Sequence, residues 1–200
     1  MIEFDACTHT YKIDGMVVPS VTQVLSILED WSQVDHPTLS AAAEFGTHVH
    51  IACDLDNKGI LNEGELDPSL LPYLSSWRRF VGESEVHVIT GELQVASRVH
   101  RYAGTLDALI EWRGAICVLD IKTGATVPHT AGPQLAAYEL AYNESFETAT
   151  AIRLAPGKRA RKRFVVQLNA DSYRVHEMKN RTDWTVFQSA LNCWRFKHAA

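Results

Sequence analysis

The chain has 200 residues, 46% of them hydrophobic and 22% charged, the proportions of an ordinary soluble globular domain. That composition excludes wholesale disorder, collagen-like repeats and a coiled coil. The formal net charge of −5 argues against coating nucleic acid by bulk charge, though not against an enzyme with acidic metal ligands and a local basic patch.

In chain order, the start carries Glu3 and Asp5 and lacks the basic-then-apolar pattern of a secretory leader. No run approaches the roughly 18 apolar residues of a membrane span, so a cytoplasmic protein is expected. Phe4, Tyr11, Ile13 and Met16 to Val18, around a turn at Asp14-Gly15, predict a small hairpin. Ser20 with Gln23 three residues on is a capping box, and Val21, Val24, Leu25 and Leu28 give the helix behind it one apolar stripe. A second helix is predicted from near Pro37 past His50 to about Asp56, and a third from Pro68 to Val81. The period then changes, and residues 86–97, 101–112 and 115–122 read as three consecutive strands. A helix follows from about Gly132 to Tyr142, and strands near 148–155 and 163–168 flank a basic run. The last helix puts Val186, Phe187, Ala190, Leu191 and Trp194 on one face, with Asp183 as its N-cap. This order predicts one α/β domain with a mixed central sheet flanked by helices: hairpin and helices over 1–84, a core over 85–168, a C-terminal helix over 180–198. Cys7, Cys53, Cys117 and Cys193 form no C-x-x-C pair, and each reads as a lone buried thiol.

The chemistry concentrates in Gly104-Thr105-Leu106-Asp107 and Leu119-Asp120-Ile121-Lys122. A turn at Arg113-Gly114 sets Trp112 opposite Ala115 and Asp107 opposite Asp120, with Cβ atoms about 5 Å apart. A three-residue bulged loop would shift that register by one, and Arg is a poor residue for a primed turn. In the preferred register two carboxylates share a face at the ends of apolar strands. Like charges so placed repel, and a cation between them reverses the sign of the interaction. Hard oxygen ligands of this kind suit Mg²⁺ or Mn²⁺. Lys122 lies two residues past Asp120 and so shares its face, where an ammonium can orient water or stabilise developing phosphoryl charge. An Asp-x-Lys triplet alone is nearly worthless; the upstream aspartate in register gives it weight.

Together with Gly46-Thr47-His48-Val49-His50 and Gln134-Leu135-Ala136-Ala137-Tyr138, these residues resemble the ordered motif set of the PD-(D/E)XK nuclease superfamily, in its RecB-like, phage-type exonuclease branch. The resemblance covers residues 15 to 168, and the Pro19-Ser20-Val21-Thr22 segment shares it. It implies a restriction-endonuclease-like core and a Mg²⁺- or Mn²⁺-dependent exonuclease that hydrolyses phosphodiester bonds from DNA ends in recombination or repair. It implies a cation held by His50, Asp107, Asp120 and the Ile121 carbonyl, with Lys122 assisting. His48 competes with His50, but the two lie about 200° apart around a helix. Gln134 and Tyr138 would place the DNA strand. Glu92 and Asp54 would stand behind the ligands, Asp54 holding the His50 imidazole. One branch of the family carries an iron–sulfur cluster, but Cys193 stands alone in the last third of the chain, so none is expected. DNA is the implied partner, with a single-strand annealing or recombination protein beside it. Two alternatives remain open: a structure-specific endonuclease on the same site, and a non-catalytic DNA-binding protein that kept the fold. Lys158, Arg159, Arg161, Lys162 and Arg163 hold five of the 19 basic residues, leaving 14 against 24 acidic ones. They follow the turn signal Ala155-Pro156-Gly157, which predicts a hairpin tip or exposed strand meeting the DNA backbone.

Overall fold

A computed structural model describes residues 2–30, 35–144, 158–170 and 172–199. The predicted N-terminal hairpin is a three-stranded antiparallel sheet of β1 (Ile2–Asp5), β2 (Thr10–Ile13) and β3 (Met16–Val18). Asp14 and Gly15 take φ of 52° and 77°, the left-handed pair that a two-residue primed turn needs. Ser20 caps α1 (Val21–Leu25) with both halves of the capping box in place. Leu28, however, falls in the short 3₁₀ turn that follows, outside the buried stripe.

The first long helix, α2 (His36–Asn57), is capped by Asp35 and has Pro37 in its first turn, where a missing N–H costs nothing. After two 3₁₀ turns comes α3 (Leu71–Glu83), which buries Leu74, Trp77 and Phe80. The three strands then appear where the period predicts them: β4 (His87–Ser97), β5 (Tyr102–Trp112) and β6 (Ala115–Lys122). The β5–β6 register sets Trp112 opposite Ala115 and Ala108 opposite Leu119, as the turn at Arg113-Gly114 requires. Arg113 takes φ of 51° there, so this position accepts the primed turn despite its side chain.

Beyond α4 (Ala131–Glu144), β7 (Ala160–Leu168) lies parallel to β6, and β8 (Tyr173–Glu177) pairs antiparallel with β7. The central sheet is therefore mixed, in the order β4-β5-β6-β7-β8, and this α/β layering is compatible with a restriction-endonuclease-like core. Helices α2 and α3 cover one face; α1, α4 and α5 (Asp183–His198) cover the other. β6, apolar and buried along nearly its whole length, is the middle strand of both cores.

Several expectations are corrected. β8 was not anticipated; Tyr173 and Val175 alternate with Arg174 and His176, a strand pattern of only five residues, and pairing with β7 fixes it. The expected strand at 148–155 lies outside the described residues. Asp183 is no N-cap: Thr182 holds that position without a side-chain bond, and Asp183 turns inward to Arg163. Cys53 and Cys117 are buried thiols, but Cys7 and Cys193 are exposed. Among the described residues no helix is long and apolar enough to cross a membrane.

Gly104 shows how closely the layers approach. A Cβ built there would lie 2.7 Å from Cε1 of Tyr138, a ring buried against the sheet. Gly104→Ala is expected to cost about 1–3 kcal/mol, because a buried ring cannot swing away as an exposed side-chain tip would. The check is the urea midpoint at unchanged m-value; an unaltered midpoint would mean that the ring yields freely.

Candidate active site

The site forms where β5 and β6 part. Their pairing runs no further than Ala108 opposite Leu119, yet β6 continues to Lys122 along β7. The next residues on each side are Asp107 and Asp120. Asp107 does not lie idle in that gap: its Oδ2 accepts the Ile121 N–H at 2.7 Å. Its Oδ1 lies 3.5 Å from Nδ1 of His50, which reaches in from α2. His50 is half-buried, while His48 is exposed on the other side of the helix, as the helical spacing requires.

Glu92 completes this cluster. β4 and β5 pair Gly91 with Ala108 and Leu93 with Leu106, which puts Glu92 opposite Asp107. Glu92 has φ of 47°, a left-handed backbone in the middle of a strand. One ligand atom each from His50, Glu92 and Asp107 lies within 4.8 Å of the others. Neighbouring ligand atoms on a Mg²⁺-sized ion stand about 3 Å apart, so modest side-chain rotation would close this set on a cation. A mixed nitrogen and carboxylate set suits Mn²⁺ as well as Mg²⁺. The residues fit a hard divalent cation.

Asp120 stands beside this trio. Its carboxylate is almost fully buried, and Nζ of Lys122 lies 3.0 Å from Oδ1 and 2.8 Å from Oδ2. Lys122 also donates to Oε1 of Gln134 at 3.4 Å, and Gln134 Nε2 donates to the Tyr138 hydroxyl at 3.5 Å. Asp120, Lys122, Gln134 and Tyr138 thus form one chain of contacts from the sheet edge into α4. The two aspartates do not face each other bare, since each has its own cation, His50 for Asp107 and Lys122 for Asp120.

The electrostatics follow from burial and these pairings. Burial disfavours a charged His50 imidazole, but the Asp107 carboxylate outweighs it and raises the pKa to about 9. Burial and the charge of Asp107 push Glu92 up to about 7. Burial likewise lifts Asp120 to about 6, against the pull of Lys122. Asp107 goes the other way: burial opposes ionisation, yet His50, Lys122 and the Ile121 N–H hold its carboxyl below the usual range. Lys122 is raised, since Asp120 and Asp107 overcome its burial. Burial also drives the Tyr138 phenol well above its ordinary range.

Other predicted site residues fall elsewhere. Asp54 does not bond to His50: its Oδ2 is 2.5 Å from Nζ of Lys58, one turn along α2, and its buried Oδ1 has no hydrogen-bond partner among the described residues. Of the two placements expected for the basic run, hairpin tip or exposed strand, the structure shows the strand for Arg161 and Lys162. The run enters β7, where Lys162 is level with Cys117, three residues or about 10 Å before Asp120 along the sheet. Lys158 pairs with Glu111 at 2.8 Å, and Arg159, Arg161 and Lys162 are exposed. Arg163 turns inward, its side chain only 11% exposed, to Asp183 and Glu139. It is therefore not part of an exposed cationic surface.

Sequence reasoning placed Glu92 behind the ligands, whereas its carboxylate stands with His50 and Asp107. The available signal was its position opposite Asp107 once β4 and β5 are paired. Gln167 was not foreseen. It is buried on β7 level with Lys122, donates to the Gly124 carbonyl at 2.8 Å, and lies 3.2 Å from the His176 ring. It fixes the loop that leaves β6, and nothing in its sequence neighbourhood announces this.

No family model matches the chain, and no curated protein does. Among solved structures it is similar to SSO0001, known from a crystal structure, at a TM-score of 0.37 and 14% identity over 77% of this chain and 73% of that one. A likeness that distant bears on neither fold nor function.

Proposed function

We propose that this chain is a Mg²⁺- or Mn²⁺-dependent deoxyribonuclease that hydrolyses phosphodiester bonds from DNA ends. The supporting observation is the convergence of His50, Glu92 and Asp107 from three separate elements on one point, with the Asp120–Lys122 pair beside it. The motif order found in the sequence supports the same reading, and DNA recombination or repair is the setting it suggests.

His50, Glu92 and Asp107 would hold the cation, with Asp120 and the Ile121 carbonyl next to it on β6. When bound, such an ion lowers the pKa of water and polarises a phosphate oxygen. The chain's own groups then do the following. Lys122, steadied by Asp120 and Gln134, presents an ammonium to the charge that grows on the phosphoryl oxygens. Tyr138 and Gln134 hold that ammonium in register with the sheet. Asp107, fixed by the Ile121 N–H, sets the direction of the His50 ring.

An end-labelled linear duplex incubated beside a closed circle, with Mn²⁺ and with chelator, tests the proposal. Metal-dependent loss of the linear DNA from its ends, with the circle intact, is expected. Nicking of the circle would mean an endonuclease, and binding without cleavage a non-catalytic protein.

The two histidines supply a further check. His50→Ala is expected to raise the Mn²⁺ concentration for half-maximal cleavage by more than about 10-fold, beyond the lower end of what outer-shell losses cost. His48→Ala, on the exposed side of α2, should leave it within about twofold. The reverse pattern would put the wrong face of α2 against the site.

A further inference from the structure

We infer that Asp54 and Gly91 form a clamp that positions Glu92 toward His50 and Asp107, so that the shape of the Asp54 carboxylate sets how tightly the site takes up a divalent cation. The inference rests on the cation-site reading above and adds to it what places its third ligand.

The geometry is specific. Asp54 follows His50 by one helical turn, so both side chains leave the same face of α2. Asp54 is 8% exposed and lies against β4 at Gly91. A Cβ on Gly91 would stand 2.2 Å from Asp54 Oδ1 and 3.3 Å from the main-chain oxygen of Asp107. No side chain fits there while the Asp54 carboxylate keeps this position, so the missing side chain at position 91 is the recess into which the carboxylate fits. Lys58 holds the other oxygen, Oδ2, at 2.5 Å and so fixes the carboxylate's rotation. The residue immediately after Gly91 is Glu92, whose left-handed φ of 47° turns its side chain toward the cluster.

A left-handed glutamate in a strand is strained by about 1 kcal/mol or more and persists only where its surroundings hold it. The wedge of Asp54 on Gly91 is such a restraint. It ties the helix that carries His50 to the strand that carries Glu92, one residue from the strain. Asp54 is thus a positioning residue for Glu92 rather than a partner of the imidazole. A buried carboxylate oxygen without a donor among the described residues has a role in this arrangement as a steric stop.

The test is Mn²⁺ binding to the full chain by titration calorimetry, with no DNA present. Asp54→Ala should weaken binding about 10-fold or more, the scale on which outer-shell support acts. Asp54→Asn keeps the wedge and removes the charge, so it should stay within about threefold of wild type. Gly91→Ala should weaken binding at least as much as Asp54→Ala. In the double variant the new methyl occupies the space that the carboxylate left, so binding should be tighter than in Gly91→Ala alone, a coupling that independent sites would not show. Equal losses for Asp54→Asn and Asp54→Ala would overturn the inference, by making charge rather than shape the cause. So would wild-type affinity in Asp54→Ala, or simple additivity in the double variant. A wild type that binds while the variants follow none of these patterns overturns the clamp alone. A wild type that takes up no Mn²⁺ overturns the cation site, and the clamp with it.

Discussion

Asp107→Asn, Asp120→Asn and Lys122→Ala are each expected to slow cleavage of a linear duplex by at least about 10²-fold, the lower end of what a positioned proton-transfer or charge-stabilising group contributes. The three losses have different origins. Asp107→Asn removes the negative charge shared by His50 and the candidate cation, and it sets an amide where the Ile121 N–H now donates at 2.7 Å. Asp120→Asn removes the negative charge that steadies the Lys122 ammonium and leaves it neutral acceptors, the new amide oxygen and Gln134 Oε1 at 3.4 Å. Lys122→Ala removes the cation itself and leaves the buried Asp120 carboxylate alone, so its melting curve must be recorded beside its rate. The measurement is a single-turnover rate at saturating Mn²⁺, which separates chemistry from DNA binding. Wild-type rates in any of the three folded variants would remove that residue from the reaction.

Much of this site is legible in the sequence because it depends on register. The positions of Asp107 and Asp120 follow from one turn, Arg113-Gly114, and the strand period of two carries that information six residues along each strand. The helical period lets only one of His48 and His50 face the sheet, the resemblance in motif order selects His50, and the structure places His50 inward and His48 outward. Gln134 and Tyr138, four residues apart, share a face of α4 for the same reason.

What the sequence does not show depends on contacts between distant segments. Glu92 lies opposite Asp107, but its carboxylate reaches the cluster through a left-handed backbone that no local signal at Gly91-Glu92-Leu93 predicts. Asp54 shares a helix face with His50, which makes an Asp–His pair the natural reading. The carboxylate instead goes to Lys58 and Gly91, because one turn of rise carries it past the ring to the neighbouring strand. β8 carries a strand signal of only five residues, Tyr173 and Val175 alternating with Arg174 and His176, and the edge that β7 offers is what makes it a strand.

Arg163 is the clearest case of charge misread as surface. It ends a run of cations, yet Nη1 lies 3.0 Å from Asp183 and 3.2 Å from the Gly132 carbonyl. Nη2 donates to the Asn180 carbonyl at 3.0 Å, and Nε is 3.4 Å from Glu139. One guanidinium thus joins β7 to the start of α4 and the start of α5, using the planar fork that lysine lacks. The elements are close enough that a Cβ on Gly132 would stand 2.7 Å from Asp183. Arg163→Ala is therefore expected to destabilise the fold by about 3–5 kcal/mol, because it strands the buried Asp183 carboxylate and Gly132 carbonyl and unpairs the Glu139 carboxylate beside them. For a chain of this size that is a fall of roughly 6–20 °C in thermal midpoint. Arg163→Lys should recover only part of it, since an ammonium cannot reach all four acceptors from one rotamer. Arg159→Ala, Arg161→Ala and Lys162→Ala together leave this junction untouched. In that variant a fall in DNA affinity with a shallower salt dependence would mark the outer part of the run as a contact to the phosphate backbone. A full thermal midpoint in Arg163→Ala would show that Asp183 and Glu139 are satisfied without it, and would return Arg163 to the surface charge that its neighbours suggest.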